Sequence, residues 1–261
     1  MIKALVFDLD DTLLNRNKRI SPINRKALLS CINSGIKIIV ATSRPKRAVL
    51  EFLDAELLNQ LCVITLNGAV YEINGKVTKV SSLEKYIETI LFHAQSLQNP
   101  IISLEYLGID FSTNKNFDDD ELLKYQNATR DMLVPMNKFD KNLISKIAVD
   151  GCGVDISEFI EQIQFEGINT ISAVNNTFVN IVGANVDKSH TLLEVLKVLN
   201  IELEYVISFG DDIPDIEMMK ITGQSIAMGN ATDKVKEIAT AIIGDCDSDA
   251  ISQFINEKIL K

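Results

Sequence analysis

Five short apolar runs, separated by helical stretches, constrain the fold of this chain more than any other feature. The runs occupy residues 4–7, 36–41, 61–66, 205–209 and 225–228. Each is almost continuously apolar, which is typical of strands whose two faces are both buried. The pattern therefore predicts an α/β fold with a Rossmann-like core, in which helices cover both faces of a parallel sheet.

One of the intervening helices has clear boundaries. Ser21 is a suitable N-cap, Pro22 suits the first helical turn, and Gly35 follows the last apolar position of the run. These are the residue types that favour the start and the end of a helix. We predict a helix between Pro22 and Gly35.

The middle of the chain predicts a second domain. A helical stretch from Leu83 to Gln98 is followed by acidic, irregular sequence around Phe117 to Glu121. A strand at 146–150, a helix at 156–165 and a hairpin of strands 170–174 and 177–182 come next. We predict a core of residues 1–82 and 185–261 with an inserted α+β domain of residues 83–184.

Polar residues follow each of the five apolar runs. In chain order they are Asp8, Thr42-Ser43-Arg44, Asn67-Gly68, Gly210-Asp211-Asp212 and Gly229-Asn230. Ligands of open α/β sheets bind beyond the carboxyl ends of the strands, so these loops should line one crevice. If the extended geometry continues past the first run, Asp8 and Asp10 point the same way. Both carboxylates could then reach one bound group.

Composition excludes several classes of protein. The 261 residues carry a net charge of -10 with no long cluster of Lys or Arg, which argues against nucleic-acid binding. No apolar stretch approaches the roughly 20 residues of a membrane span, and the chain begins without the pattern of a signal peptide. We expect a cytoplasmic globular protein, whose oligomeric state the sequence does not indicate.

In combination, these motifs resemble the haloacid dehalogenase-like (HAD) superfamily, and more narrowly its Cof-type sugar-phosphate phosphatases with a type IIB α/β cap. The likeness covers nearly the whole chain and is specific because the motifs occur in the family's order. Four motifs carry it: Asp8-x-Asp10-x-Thr12, Thr42, Lys188 and the run from Gly210 to Asp215. The inserted domain of residues 83–184 corresponds to the cap, which would determine specificity.

The resemblance implies a phosphatase that hydrolyses a small phosphorylated metabolite through an aspartyl-phosphate intermediate. Asp8 would be the nucleophile, Asp10 the acid and then the base, and Lys188 a neutralising cation. Phosphate or substrate would be bound by Thr12, Thr42, Ser43, Arg44, Asn67 and Gly68.

Charge gives a separate reason to expect a metal ion. Four carboxylates, of Asp8, Asp10, Asp211 and Asp215, would converge with a phosphate dianion. Two like charges about 4 Å apart cost about 4 kcal/mol even at an effective dielectric constant of about 20. An all-oxygen ligand set favours Mg²⁺ over zinc. The resemblance implies that Asp8, the backbone carbonyl of Asp10 and Asp211 bind the ion, with Asp215 nearby.

Three residues depart from the pattern of the family. Asp11 and Ser43 stand where Gly is usual, and Pro214 stands where Asn is usual. None of these changes removes a catalytic carboxylate, so we expect activity with an altered rate or substrate range.

Two alternatives to a phosphatase remain. One is a protein that binds or senses a phosphorylated metabolite without turnover. The other is a phosphomutase, although the short interval between Thr12 and Thr42 has no room for the helical cap common in mutases of this superfamily.

Overall fold

The computed structural model of the protein describes residues 1–260. Its strands, in chain order, are β1 (Ala4–Phe7), β2 (Lys37–Ala41), β3 (Cys62–Thr65), β4 (Val70–Ile73), β5 (Lys76–Lys79), β6 (Ile101–Glu105), β7 (Phe111–Thr113), β8 (Lys146–Asp150), β9 (Ile168–Ala173), β10 (Phe178–Gly183), β11 (Val206–Gly210), β12 (Gln224–Ala227) and β13 (Ala241–Ile242). Its α-helices are α1 (Pro22–Asn33), α2 (Lys46–Phe52), α3 (Ala55–Leu58), α4 (Ile87–Ala94), α5 (Asp119–Lys124), α6 (Ser157–Gln162), α7 (Lys188–Leu199), α8 (Ile216–Ile221), α9 (Asp233–Ile238) and α10 (Ala250–Lys258).

The core is an eight-stranded sheet in the order β13-β12-β11-β1-β2-β3-β4-β5. The strands from β13 to β3 pair in parallel, while β4 and β5 extend the sheet as an antiparallel hairpin. Alternate residues of β1 enter opposite apolar clusters, Leu5 and Phe7 on one face and Ala4 and Val6 on the other. Helices cover both faces, so the predicted fold class is confirmed.

The predicted boundaries of α1 are also confirmed, to within two residues at the C-terminal end. The Ser21 hydroxyl accepts a hydrogen bond of 3.0 Å from the Asn24 amide, and Pro22 occupies the first turn. The capping geometry that the sequence indicated is therefore present.

A second, antiparallel sheet has the order β7-β6-β8-β10-β9 and is called the cap sheet below. Helices α4 and α6 pack on it, with Ile87, Ile90 and Phe159 in the same apolar cluster as Leu104 and Ile147. All its strands lie within residues 101–183, inside the predicted insertion. The boundaries at 83 and 184 stay a prediction.

Two parts of the insertion differ from the expectation. Helix α4 spans Ile87–Ala94, whereas the sequence predicted a helix from Leu83 to Gln98, and the acidic segment predicted to be irregular contains α5. Asp118 and Glu121 form a capping box at the start of α5, in which each side chain accepts a hydrogen bond from the other's amide. Local capping thus gives this acidic segment a helix that its hydrophobic pattern does not show.

The strand order determines which loops meet. Strand β1 lies between β11 and β2, so the loop that starts at Asp8 is flanked by the loops of Asp211 and Thr42. Within residues 1–260, no helix is both long and apolar enough to cross a membrane.

Candidate active site

The loop after β1 turns sharply, so the extended geometry expected for Asp8 and Asp10 does not continue. Residues Leu9–Leu13 form a turn that the Leu14 amide closes by donating to the Leu9 carbonyl at 2.8 Å. Asp10 and Asp11 have non-helical dihedral angles, and Asp11 lies in the left-handed region at φ 54°. Asp is one of the few residues that adopts this conformation at modest cost. The side-chain amide of Asn230 donates a hydrogen bond of 2.8 Å to the backbone carbonyl of Asp11, and this bond holds the turn.

Three carboxylates converge beside Lys188. Asp8, Asp211 and Asp215 each place an oxygen within 4.8 Å of the other two. The Lys188 ammonium donates hydrogen bonds to Asp8 and, at 2.7 Å, to Asp215. Asp8, Asp215 and Lys188 are buried, whereas Asp211 is half-buried at the edge of a cavity of about 150 Å³. The site therefore concentrates negative charge around a single lysine.

Close packing at Gly210 and hydrogen bonds from backbone amides determine the shape of the loop after β11. A Cβ added to Gly210 would lie 2.7 Å from Asp215 Cβ, so only glycine fits there. The Asp215 carboxylate accepts hydrogen bonds from the amides of Asp211 and Asp212, at 3.1 and 3.2 Å. Pro214 lies in the first turn of a short 3₁₀-helix, where no amide hydrogen is needed. The proline is thus compatible with the geometry of this loop.

Burial and mutual repulsion shift the pKa values of these groups. Burial raises the pKa of Asp8 to about 8, with Lys188 opposing and Asp215 adding to the shift. Burial likewise raises the pKa of Asp211 to about 6, against the hydrogen bond from Thr12 and with the charge of Asp215. Burial lowers the pKa of Lys188, but the Asp215 and Asp8 carboxylates outweigh it and raise that pKa. Without a further cation, the cluster favours partial protonation.

The carboxylate cluster fits a hard divalent cation. All three side chains offer oxygen donors, and opposite ligands of a Mg²⁺ ion lie roughly 4.2 Å apart at its usual bond lengths. The three carboxylate oxygens lie within 4.8 Å of one another, so small movements of these side chains would bring them to that distance or closer. No histidine or cysteine joins the cluster among the described residues 1–260, which disfavours zinc.

Asp10 turns away from this cluster. Its carboxylate accepts hydrogen bonds from both Arg44 Nε and Nη2, at 2.7 and 2.8 Å, and lies 3.0 Å from Lys18 Nζ. Burial raises the pKa of Asp10, but the hydrogen bonds from Arg44 and Lys18 outweigh burial and lower that pKa. Asp10 is thus held as a carboxylate. Lys18 could not be predicted as a partner of Asp10, because it is a single lysine in a polar loop.

Two predicted phosphate-binding hydroxyls lie at the site with partners of their own. The Thr12 hydroxyl donates to Asp211 at 2.7 Å, and the Thr42 hydroxyl accepts from the Arg44 amide at 3.2 Å. Both threonines are buried. Since Thr42 accepts with its oxygen, its hydrogen is free to donate to a ligand.

Asn67 and Gly68 lie next to the Thr42 loop, since the Asn67 amide donates to the Thr42 carbonyl at 3.2 Å, but neither lines the cavity beside Asp211. Asn67 is buried with φ 60°, and its side-chain Oδ1 has no hydrogen-bond partner among the described residues. Gly68 has φ 97°, and a Cβ there would lie 2.2 Å from the carbonyl oxygen of Asp187. Gly68 therefore allows α7, which starts at Lys188, to approach the sheet.

Residues of the cap sheet reach the same crevice and were not predicted as site residues. The buried Lys146 ammonium donates to the carbonyl of Ser43 at 3.2 Å. A cavity of about 280 Å³ extends from Asp10, Ser43 and Arg44 into the cap sheet. Ser43 thus contributes through its backbone. The one feature of the sequence that could have indicated this contact is a lysine at the start of an apolar strand.

The chain is similar to known proteins over nearly its whole length. The family described as haloacid dehalogenase-like hydrolase matches residues 5–255. The 5-amino-6-(5-phospho-D-ribitylamino)uracil phosphatase YcsE of Bacillus subtilis is 27% identical, over 99% of this chain and 96% of that protein. The pyridoxal phosphate phosphatase YbhA of Escherichia coli is 23% identical, over 99% of both chains.

A solved structure shows the same fold. The HAD subclass IIB sugar phosphatase BT4131 superimposes with a TM-score of 0.77 at 22% identity, over 97% of this chain and 98% of that one. The chain belongs to the haloacid dehalogenase-like hydrolases. The family and the enzyme class predicted from the sequence, a HAD-like phosphatase of the Cof type, are thereby confirmed.

Proposed function

We propose that this hydrolase is a Mg²⁺-dependent phosphatase that acts on a small phosphorylated metabolite through an aspartyl-phosphate at Asp8. The observation that carries the proposal is the convergence of Asp8, Asp211 and Asp215 around Lys188 at the carboxyl edge of the sheet. A site of this charge suits a phosphoryl group only together with a metal ion.

In the first step, a carboxylate oxygen of Asp8 attacks phosphorus and the bond from phosphorus to the leaving oxygen breaks. Asp10 gives its proton to that oxygen. In the second step, Asp10 takes a proton from water, the water oxygen attacks phosphorus, and the bond to Asp8 breaks to release phosphate. Asp10 returns to its protonated state, so the cycle balances.

Asp10 needs a proton for the first step, but Arg44 and Lys18 stabilise its charged form. A bound phosphate ester gives Arg44 another anionic partner, and loss of that ion pair raises the pKa of Asp10. We therefore expect substrate binding to prepare Asp10 as an acid, while the arrangement seen here suits its role as a base.

Asp8, Asp211 and Asp215 would hold the metal, with the backbone carbonyl of Asp10. When bound, Mg²⁺ supplies positive charge that keeps the carboxylates ionised and offsets charge on the phosphoryl oxygens. Lys188 orients Asp8 through its hydrogen bond, and Thr12 orients Asp211 in the same way. The Thr42 hydroxyl, which only accepts a hydrogen bond here, is placed to donate its hydrogen to a phosphoryl oxygen.

The relatives support a small substrate. YcsE and YbhA are named for phosphorylated heterocycles of metabolite size. In this chain the cavity between Asp10 and the cap sheet has about 280 Å³. A metabolite fits that volume, whereas a protein or nucleic-acid chain does not.

The test is phosphate release from a panel of phosphorylated metabolites, in Mg²⁺ and in EDTA. We expect release by the native chain in Mg²⁺ alone, and a loss of at least about a thousandfold in Asp8→Asn, because the nucleophile is removed. Asp212→Asn is the matched control, since Asp212 lies in the Asp211 loop but caps Ile213. Release that persists in Asp8→Asn contradicts the mechanism. Binding without release by the native chain favours the sensing alternative.

A further inference from the structure

The cavity between core and cap, called the cap cavity below, lies where the leaving group of a phosphate ester must go. It begins at Asp10, the residue that would protonate the leaving oxygen. Its far wall is formed by Lys146, Asn180 and Gln126 of the insertion. Side chains on this wall therefore contact the part of the substrate that distinguishes one metabolite from another.

Lys146 is a buried cation that, within residues 1–260, has no carboxylate at ion-pairing distance, although Glu105 attracts it from farther away. It is 4% exposed, and its ammonium has one hydrogen-bond acceptor among the described residues, the Ser43 carbonyl. The nearby carboxylate of Glu105 is occupied by two hydrogen bonds from Arg47, at 2.7 and 2.8 Å. Burial lowers the pKa of Lys146 to about 8, despite the attraction of Glu105. Buried charges are normally paired, so this ammonium lacks an acceptor that a ligand can supply.

Two amide side chains beside the cavity are also incompletely bonded. Asn180, in the apolar strand β10, is 9% exposed, and its Oδ1 has no hydrogen-bond partner in the part of the chain that the structure describes. Gln126 Oε1 is buried and unpartnered as well. Gln126 and Asn127 both have positive φ, and the Asn127 side chain donates to the Arg47 carbonyl at 3.1 Å. The loop is thus fixed in a shape that directs Gln126 to the cavity, and both amides require polar ligand atoms.

We propose that the cap cavity selects phosphate esters of hydroxylated carboxylic acids, with the carboxylate on Lys146 and hydroxyl groups on Asn180 and Gln126. This inference rests on the proposed phosphatase function. One unpaired cation matches one carboxylate. A second phosphate would bring excess negative charge next to Glu105, and a neutral polyol would leave Lys146 buried and unpaired. An apolar leaving group would leave both amides unpaired.

The test compares two substrates of equal chain length, 6-phosphogluconate and sorbitol 6-phosphate, which differ only in a carboxylate against a hydroxymethyl group. Acetyl phosphate is the third substrate, because its leaving group is too short to reach Lys146. We expect the native chain to prefer 6-phosphogluconate in kcat/KM by about tenfold or more, as a charge-assisted hydrogen bond provides.

Lys146→Met removes the charge and keeps the length of the side chain. It should lower kcat/KM for 6-phosphogluconate about tenfold while changing sorbitol 6-phosphate and acetyl phosphate little. Lys141→Met, at an exposed cap lysine paired with Glu88, is the matched control and should change none of the three. Asn180→Leu should weaken both six-carbon substrates and spare acetyl phosphate.

A native chain that treats the two six-carbon substrates alike, or favours sorbitol 6-phosphate, overturns the inference without any variant. An equal loss on all three substrates in Lys146→Met overturns it too, since that result indicates a structural role. Suppose that hydrolysis of acetyl phosphate requires Mg²⁺ and Asp8, but that the chain does not prefer the substrate with a carboxylate. The inference then fails, while the proposed function stands. If acetyl phosphate and the panel of phosphorylated metabolites all stay intact, the proposed function fails, and the inference fails with it.

Discussion

The buried ion pair between Arg47 and Glu105 joins the core to the cap, and its removal should cost more stability than any exposed pair. Arg47 lies on α2 of the core and Glu105 on β6 of the cap sheet, and their side chains are 0% and 2% exposed. Arg47 also donates to the carbonyl of Ile109 at 3.1 Å and stacks over Phe111. The pair is thus bidentate and shielded from water.

Removing one partner leaves the other charge buried. Arg47→Met should lower the free energy of unfolding by about 3 kcal/mol, near the lower end of the range for broken buried pairs. The lower end applies because Lys146 interacts with Glu105 and partly offsets its charge. The double variant Arg47→Met/Glu105→Leu buries no unpaired charge, so it should recover about 2 kcal/mol of that loss.

Urea unfolding in EDTA measures these free energies without a contribution from metal binding. Arg25→Met is the matched control, because Arg25 pairs with Asp54 and Glu56 at the surface. Its cost should stay below about 1 kcal/mol. A loss in Arg47→Met no larger than in the control, or a double variant no more stable than Arg47→Met, would refute the reasoning.

Three further predictions concern the site. The pKa of Asp8 is raised from 3.8 to about 8, so the free energy of unfolding falls as pH rises through that window. In EDTA at pH 8, Asp8→Asn should therefore be more stable than the native chain by about 1–3 kcal/mol. Urea unfolding measures this difference. Mg²⁺ affinity should weaken as pH falls through 8 and 6, because Asp8 and Asp211 take up protons. Calorimetry in two buffers should show that protons are released when Mg²⁺ binds. A Mg²⁺ affinity that does not depend on pH would contradict this prediction. Gly68→Ala places a methyl group against the Asp187 carbonyl and displaces Lys188, so phosphate release should fall at least about tenfold; unchanged release would show that α7 can move without harm.

The core could be predicted from the sequence because its signals are local. Each of the five predicted apolar runs is short and almost continuous, and polar residues follow it directly or after one glycine. The two-residue strand β13 gave no such signal. Asp8 and Asp211 meet because β1 and β11 are neighbours, and the general rule for parallel sheets is enough to expect this. The resemblance to the family added Lys188, whose position at the start of α7 the structure places against Asp8.

The partners of Asp10 could not be predicted, because they depend on the turn at Leu9–Leu13. A turn of this kind has no hydrophobic period, and the left-handed Asp11 is not signalled by its neighbours. Arg44 and Asp10 are 34 residues apart in the sequence, and their contact depends on tertiary packing.

The strands of the cap were harder to predict, because they also lack a clear hydrophobic period. Strand β7 has three residues and follows β6 closely, so neither gives a long periodic signal. Lys146 lies at the start of a largely apolar strand, and Asn180 lies in the middle of another. A sequence does not show which face of such a strand meets a cavity, because that depends on the pairing of β8 with β10.

The account rests on Asp8 as the nucleophile, and phosphorylation of Asp8 tests this most directly. In Asp10→Asn the base for the second step is missing, while acetyl phosphate needs no acid for the first, so the intermediate should accumulate. After incubation with acetyl phosphate and Mg²⁺ and an acid quench, peptide mass spectrometry should find one phosphoryl group on Asp8. It should be absent in EDTA and in Asp8→Asn/Asp10→Asn. Phosphate release by Asp10→Asn with Asp8 unmodified, or a phosphoryl group on another residue, would contradict the account.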